Sequence, residues 1–185
     1  VSSSWTSAIN SGATTITGLG SISNSGTITA TNSGQTIQVD VPFTNTGSFV
    51  KSTGANPIVF GNSLNNDGVV TVDSALIRLS GGGTHTGSFV VNTNLDLPTG
   101  STQNFSTGST LSGTGTLSNT GGTTNISGSA GLGLTVNLQS GQILSNTAVS
   151  IDTLNLRSGT LTSNGVTTVT GLTTWNPLTS NSGND

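Results

Sequence analysis

The chain has 185 residues and a formal net charge of -3, and 111 of its residues are Thr, Ser, Gly or Asn. Its three basic residues, Lys51, Arg78 and Arg157, exclude a nucleic-acid partner, because phosphate binding needs clustered Lys and Arg. They disfavour an anionic membrane surface for the same reason. No apolar run approaches the ~20 residues of a membrane span, so the expectation is a soluble chain forming one domain over residues 1–185.

In chain order, the first regular feature is "NSGTIT" from Asn24, followed by "NTGSFV" from Asn45, "NDGVVT" from Asn66 and "HTGSFV" from His85. The central glycines, Gly26, Gly47, Gly68 and Gly87, are 21, 21 and 19 residues apart. Each copy is followed by a second apolar pair: Ile37 and Val39, Ile58 and Phe60, Ile77 and Leu79, Leu95 and Leu97. The first three pairs each end eight residues before the next glycine. The shortening in the third copy therefore falls between Gly68 and Ile77, in a loop rather than a strand.

Each unit thus predicts two short strands with alternating apolar positions, joined by Gly, Asn, Ser and Thr turns. Such strands cannot bury their apolar sides alone, so successive units must stack. The predicted fold is all-β, a parallel β-solenoid of about nine rungs and roughly 43 Å at the inter-strand spacing. Ile28, Phe49, Val70 and Phe89 form one inward column, and Ile37, Ile58, Ile77 and Leu95 a second. An antiparallel sandwich gives no reason for one turn residue to recur at this period. Helix is excluded by composition, since these four residue types are poor helix formers.

The segments "FTNTGSFV" (from Phe43), "LIRLSGGGTHTGSFVV" (from Leu76), "STLSGTGTLSNTGGTTNIS" (from Ser109) and "LNLRSGTLTSNGVTTVTGLTTWN" (from Leu154) resemble the Thr/Ser/Gly/Asn-rich repeats of very large bacterial surface proteins. The chain is similar in this to filamentous haemagglutinin-like and autotransporter-like adhesins. The resemblance implies a single-stranded, right-handed β-helix serving as an extracellular adhesive or structural stalk. It implies no catalytic residue. The expected partners are a neighbouring copy or further rungs of a longer chain, stacked end to end, together with a polysaccharide or cell-surface ligand; no cofactor is expected.

Asn24, Asn45 and Asn66 precede their glycines by two residues and predict an Asn ladder at a turn, hydrogen-bonded along the stack. His85 holds the same place in the fourth copy. Without a second His, Cys or Glu it makes no zinc site, and it reads as a turn residue at the solenoid surface. The acids Asp40, Asp67, Asp73, Asp96, Asp152 and Asp185 fall at different distances from the glycines, so no paired-carboxylate groove is expected, and Asp73 is placed to pair with Arg78. No repeated calcium motif and no nucleophile elbow occurs. The chain is therefore read as non-enzymatic, with a carbohydrate- or ice-binding module as the alternative and a polysaccharide-degrading β-helix enzyme behind it. For ice binding, the Thr-x-Thr tracts align as Thr29, Val50, Thr71 and Val90, an interrupted ladder. Asn104 and Asn125 fit the N-glycosylation pattern. Trp5 and Trp175, near opposite ends, read as covers for the terminal rungs or as stacking surfaces for sugar rings.

Overall fold

The computed structural model describes residues 2–7, 14–32, 34–127 and 131–176, with side chains from 14 onward except 131. Trp5 has its backbone in the first strand, but its side chain, like Asp185, lies outside the described residues. Each turn of chain holds three strands rather than the two expected from the sequence. The first is β1 (Ser2–Ser7), β2 (Thr14–Ile16) and β3 (Ile22–Asn24). The second is β4 (Thr27–Asn32), β5 (Ile37–Val39) and β6 (Phe43–Asn45), and the third β7 (Ser48–Thr53), β8 (Ile58–Phe60) and β9 (Leu64–Asn66). Then come β10 (Val69–Val72), β11 (Leu76–Leu79) and β12 (Gly83–His85), followed by β13 (Ser88–Val91), β14 (Asn94–Leu97) and β15 (Thr102–Phe105).

Beyond these the strands run round the corners. β16 (Thr110–Ile126) and β17 (Gly131–Ser145) each contribute to all three faces, with register shifts marking the corners in β16. β18 (Val149–Leu156) and β19 (Thr160–Ser163) make the eighth turn, and β20 (Thr167–Val169) and β21 (Thr173–Trp175) begin a ninth. Among the described residues the strand pairings are parallel and link equivalent strands of adjacent turns. The fold is thus a parallel β-solenoid of eight turns and part of a ninth, and its first face stacks nine strands over about 38 Å. Turn length is uneven: Ser2 pairs with Thr27, 25 residues on, and Ser150 with Thr168, 18 residues on.

Both predicted core columns form. Ile28, Phe49, Val70 and Phe89 are in register on the first face, and the column continues through Leu111, Leu132 and Ile151. Ile37, Ile58, Ile77 and Leu95 do the same on the second face and continue through Leu117, Val136 and Leu154. All of these are buried, each removing apolar area worth about 1.5–3 kcal/mol from water. The third face adds a column of its own, Ile22, Phe43 and Leu64. All five phenylalanines sit at the axis in two clusters. Phe43, Phe49 and Phe60, one from each face, meet edge to face with centroids 5.3–5.6 Å apart. Phe89 and Phe105 form the second with His85.

The glycine column follows from close stacking of corners rather than from unusual dihedrals. A Cβ on Gly47 would run into the Gly26 carbonyl oxygen, on Gly68 into that of Gly47, and on Gly87 into that of Gly68. Ser48 N donates to Gly26 O, Val69 N to Gly47 O and Ser88 N to Gly68 O, each at 2.8 Å.

Candidate functional site

The polar residues divide into those turned inward, which hold the stack together, and those turned outward, which any partner would meet. Asn24, Asn45 and Asn66 end the third-face strands of successive turns and are buried, not turned out at the corner surface. The Asn24 Nδ2 donates to Asn45 Oδ1, and Asn45 Nδ2 to Asn66 Oδ1, both at 2.7 Å. Each amide also ties the first-face strand that starts the turn after next, through Ser48 O, Val69 O and Ser88 O at 2.9–3.1 Å. The predicted ladder exists and is an internal, structural one.

His85 corrects the expectation of a surface turn residue. It stands in register on Asn66 and under Phe105, with 0% of its surface exposed. Its Nε2 lies 2.9 Å from Gln103 Oε1. Burial pushes its pKa down from 6.5 to about 4, against smaller upward pulls from Gln103 and Asp67. Alternation places it inside, because it is two residues beyond Gly83 on the same side of β12, but its neighbours in sequence read as a turn.

Lys51 is also internal, in register between Ala30 and Val72. Its Nζ donates to the carbonyls of Thr53 and Gly54 at the corner after β7, and desolvation lowers its pKa. Asn32 does the same work one turn earlier, donating from Nδ2 to Gln35 O, Asn56 O and Pro57 O at 2.8–3.1 Å. Buried donors of this kind tie the carbonyls of the corners to the interior. Lys51 has a readable signal, since it falls two residues after inward Phe49. Asn32 has the same signal, four residues after inward Ile28 on β4, whereas Gln103 has none beyond the register of the finished fold.

The acids are dispersed, and the described ones with side-chain partners hold structural contacts. Arg78 pairs with Asp96 of the next turn (Nε to Oδ2, 2.6 Å), not with Asp73 as its sequence position suggests. The stack brings residues 18 apart into register, whereas Asp73 lies round a corner and accepts instead from Asn92 Nδ2 at 2.7 Å. Asp96 also accepts from Thr120 Oγ1 at 2.9 Å, Asp67 from Thr86 Oγ1 at 2.6 Å, and Asp40 from Gln38 Nε2 at 2.6 Å. Among the described residues, no group of three His, Cys, Asp or Glu side chains converges on a point that could hold a metal.

Outward, the first face presents Thr29, Val50, Thr71 and Val90 in register, so the hydroxyl ladder is interrupted as its sequence alignment suggested. The third face presents Asn104 and Asn125, with Asn125 Nδ2 donating to Asn104 Oδ1 at 2.7 Å and Asn104 Nδ2 to Gly83 O at 3.4 Å. Both amide nitrogens that a glycan would occupy are engaged in this external ladder. Trp175 stands on Leu156 on the second face, two residues beyond the Leu154 column, and is 74% exposed. Its indole walls a cleft of about 580 Å³ shared with Leu156, Arg157, Ser158, Thr160 and Leu161. The described residues therefore offer three long, sparsely charged faces and, at Trp175, an aromatic cleft. No family model, curated protein or solved structure matches the chain.

Proposed function

We propose that the chain is a non-enzymatic structural or adhesive β-solenoid of a bacterial cell surface, working outside the cell as a stalk segment or as a unit that joins others end to end. The observation that carries this reading is the set of three continuous parallel ladders, pinned inside by the Asn24–Asn45–Asn66 amides. Such a stack transmits load along its axis through many hydrogen bonds at once. Its outer columns are mostly hydroxyls, amides and β-branched side chains, suited to meet polysaccharide or protein over an area rather than at a point. Asp40, Asp67, Asp73 and Asp96 each hold a separate structural contact, which supports the non-enzymatic reading over glycoside chemistry by a carboxylate pair.

A carbohydrate-binding module is the second reading, favoured by the cleft at Trp175 and Arg157, where an indole face and a guanidinium could meet a sugar ring. Glycan-array binding and sedimentation of the folded protein test the two together. Weak binding to polysaccharides that survives Trp175→Ala, with association rising with concentration, is expected for the adhesive solenoid. Binding abolished by Trp175→Ala selects the module. Monomeric behaviour at high concentration with no ligand at all would overturn both the adhesive and the end-to-end versions.

A further inference from the structure

The internal Asn column stops at Asn66, and the position above it is taken by His85. The imidazole is packed between Phe89 and Phe105, with ring centroids 4.9 and 4.8 Å away. Gly83 sits against both the stack and the ring: a Cβ there would run into the Leu64 carbonyl oxygen and lie 3.0 Å from His85 Cε1. The protonation state follows from the neighbours. Gln103 Nε2 donates to Leu79 O at 3.1 Å, which turns Gln103 Oε1 toward the ring. An oxygen at that place accepts, so His85 Nε2 carries the hydrogen and Nδ1 bears the lone pair. The buried Nδ1 has no hydrogen-bond partner among the described residues.

We propose that His85 is an acid-sensitive joint of the solenoid: in acid Nδ1 takes up a proton from solvent, and the stack opens between its fourth and fifth turns. A proton on Nδ1 puts a cation and an N–H without an acceptor into an aromatic pocket, which costs far more than leaving the same group in water. The side chains packed against the ring, Asn66, Phe89, Gln103 and Phe105, carry no charge. The charged group that acts on it is Asp67, at the corner after β9, and that carboxylate already accepts from Thr86. Burial therefore outweighs its attraction. The sign follows: the opened chain holds the proton with the ordinary pKa of 6.5 and the closed one at about 4. His85 therefore costs nothing above pH 6.5, and the closed state is lost progressively as pH falls from there to 4. Over that window the closing constant falls on the order of a hundredfold.

The test compares the protein with His85→Asn, which restores the residue type that stacks at 24, 45 and 66. Urea midpoints are followed from pH 7.5 to pH 4, and hydrogen exchange at pH 4 locates the opening. The aspartates titrate in both proteins, so the difference isolates His85. The expected result is a closing constant that falls about a hundredfold more for the wild type, with protection lost first in residues 83–106. Parallel pH profiles overturn the proposal. Should His85→Asn fail to fold, NMR titration of the single histidine decides: a pKa near 4 or resonances broadened by opening support the joint, and a pKa near 6.5 in the folded protein sinks it.

Discussion

Asn45 shows how much one side chain carries in this fold. It accepts from Asn24, and its Nδ2 donates to Asn66 Oδ1, Val69 O and Gly47 O. Replacing it with Ala removes a link from the middle of the ladder and leaves one amide hydrogen of Asn24 and the Oδ1 of Asn66 without their buried partners. At ~1–3 kcal/mol for each buried group left unsatisfied, Asn45→Ala should cost at least ~2 kcal/mol in urea unfolding. Substituting outward Thr44, next to it on the same strand, should cost under about 0.5 kcal/mol. Equal losses at the two positions would mean that the ladder contributes no more than ordinary strand packing. The ladder was legible in the sequence as a repeated Asn two residues before Gly, but its inward direction was not. Asn is a turn residue in isolation, and only a partner amide one turn away makes its burial tolerable. His85 was misplaced for the same reason: its turn-like neighbours mark the chain's local path, whereas its burial depends on Gly83, Gln103 and Phe105, the last two contributed by the next turn.

At the level of elements, the glycine period located the first-face strands and the apolar pairs located the second-face strands. The third face went unread. Its early strands are three residues long, with one apolar residue followed two later by Asn, as in Ile22–Asn24 and Phe43–Asn45. Alternation over so short a run is indistinguishable from a turn. The shortened loop was placed correctly. Lys51 and Val72 are in register, as are Ile58 and Ile77, so the corner between the first two faces loses two residues in the fourth turn. The backbone absorbs that loss at Ala75, which sits at φ 53°, the one non-glycine residue with positive φ among those described. An L-residue there costs roughly 1–2 kcal/mol that glycine avoids, offset in part by the greater freedom of glycine in the unfolded chain. Ala75→Gly should therefore stabilise the protein by about 0.5–1 kcal/mol, seen as a higher urea midpoint with an unchanged slope. A destabilised variant would mean that the Ala75 methyl packs more usefully than its dihedral costs.

The whole molecule behaves as a one-dimensional stack in which each turn touches only its neighbours. Deleting residues 46–66 removes one turn's 21 residues, the separation between successive ladder asparagines, and joins Asn45 to Asp67 without altering the order of faces. Turn two then meets turn four, with Ile28 against Val70, Ile37 against Ile77 and Asn45 below His85, all compatible inward pairs. The shortened chain should keep its β-sheet circular dichroism and unfold cooperatively. It should also be less stable, because Phe43 loses both Phe49 and Phe60. Deleting residues 46–56 instead runs a third-face strand straight into a second-face strand and should abolish folding, since the three columns can no longer be kept in step. If the two deletions behaved alike, either both folding or neither, the turn would not be the unit of this structure, and the proposed stalk would lose its physical basis.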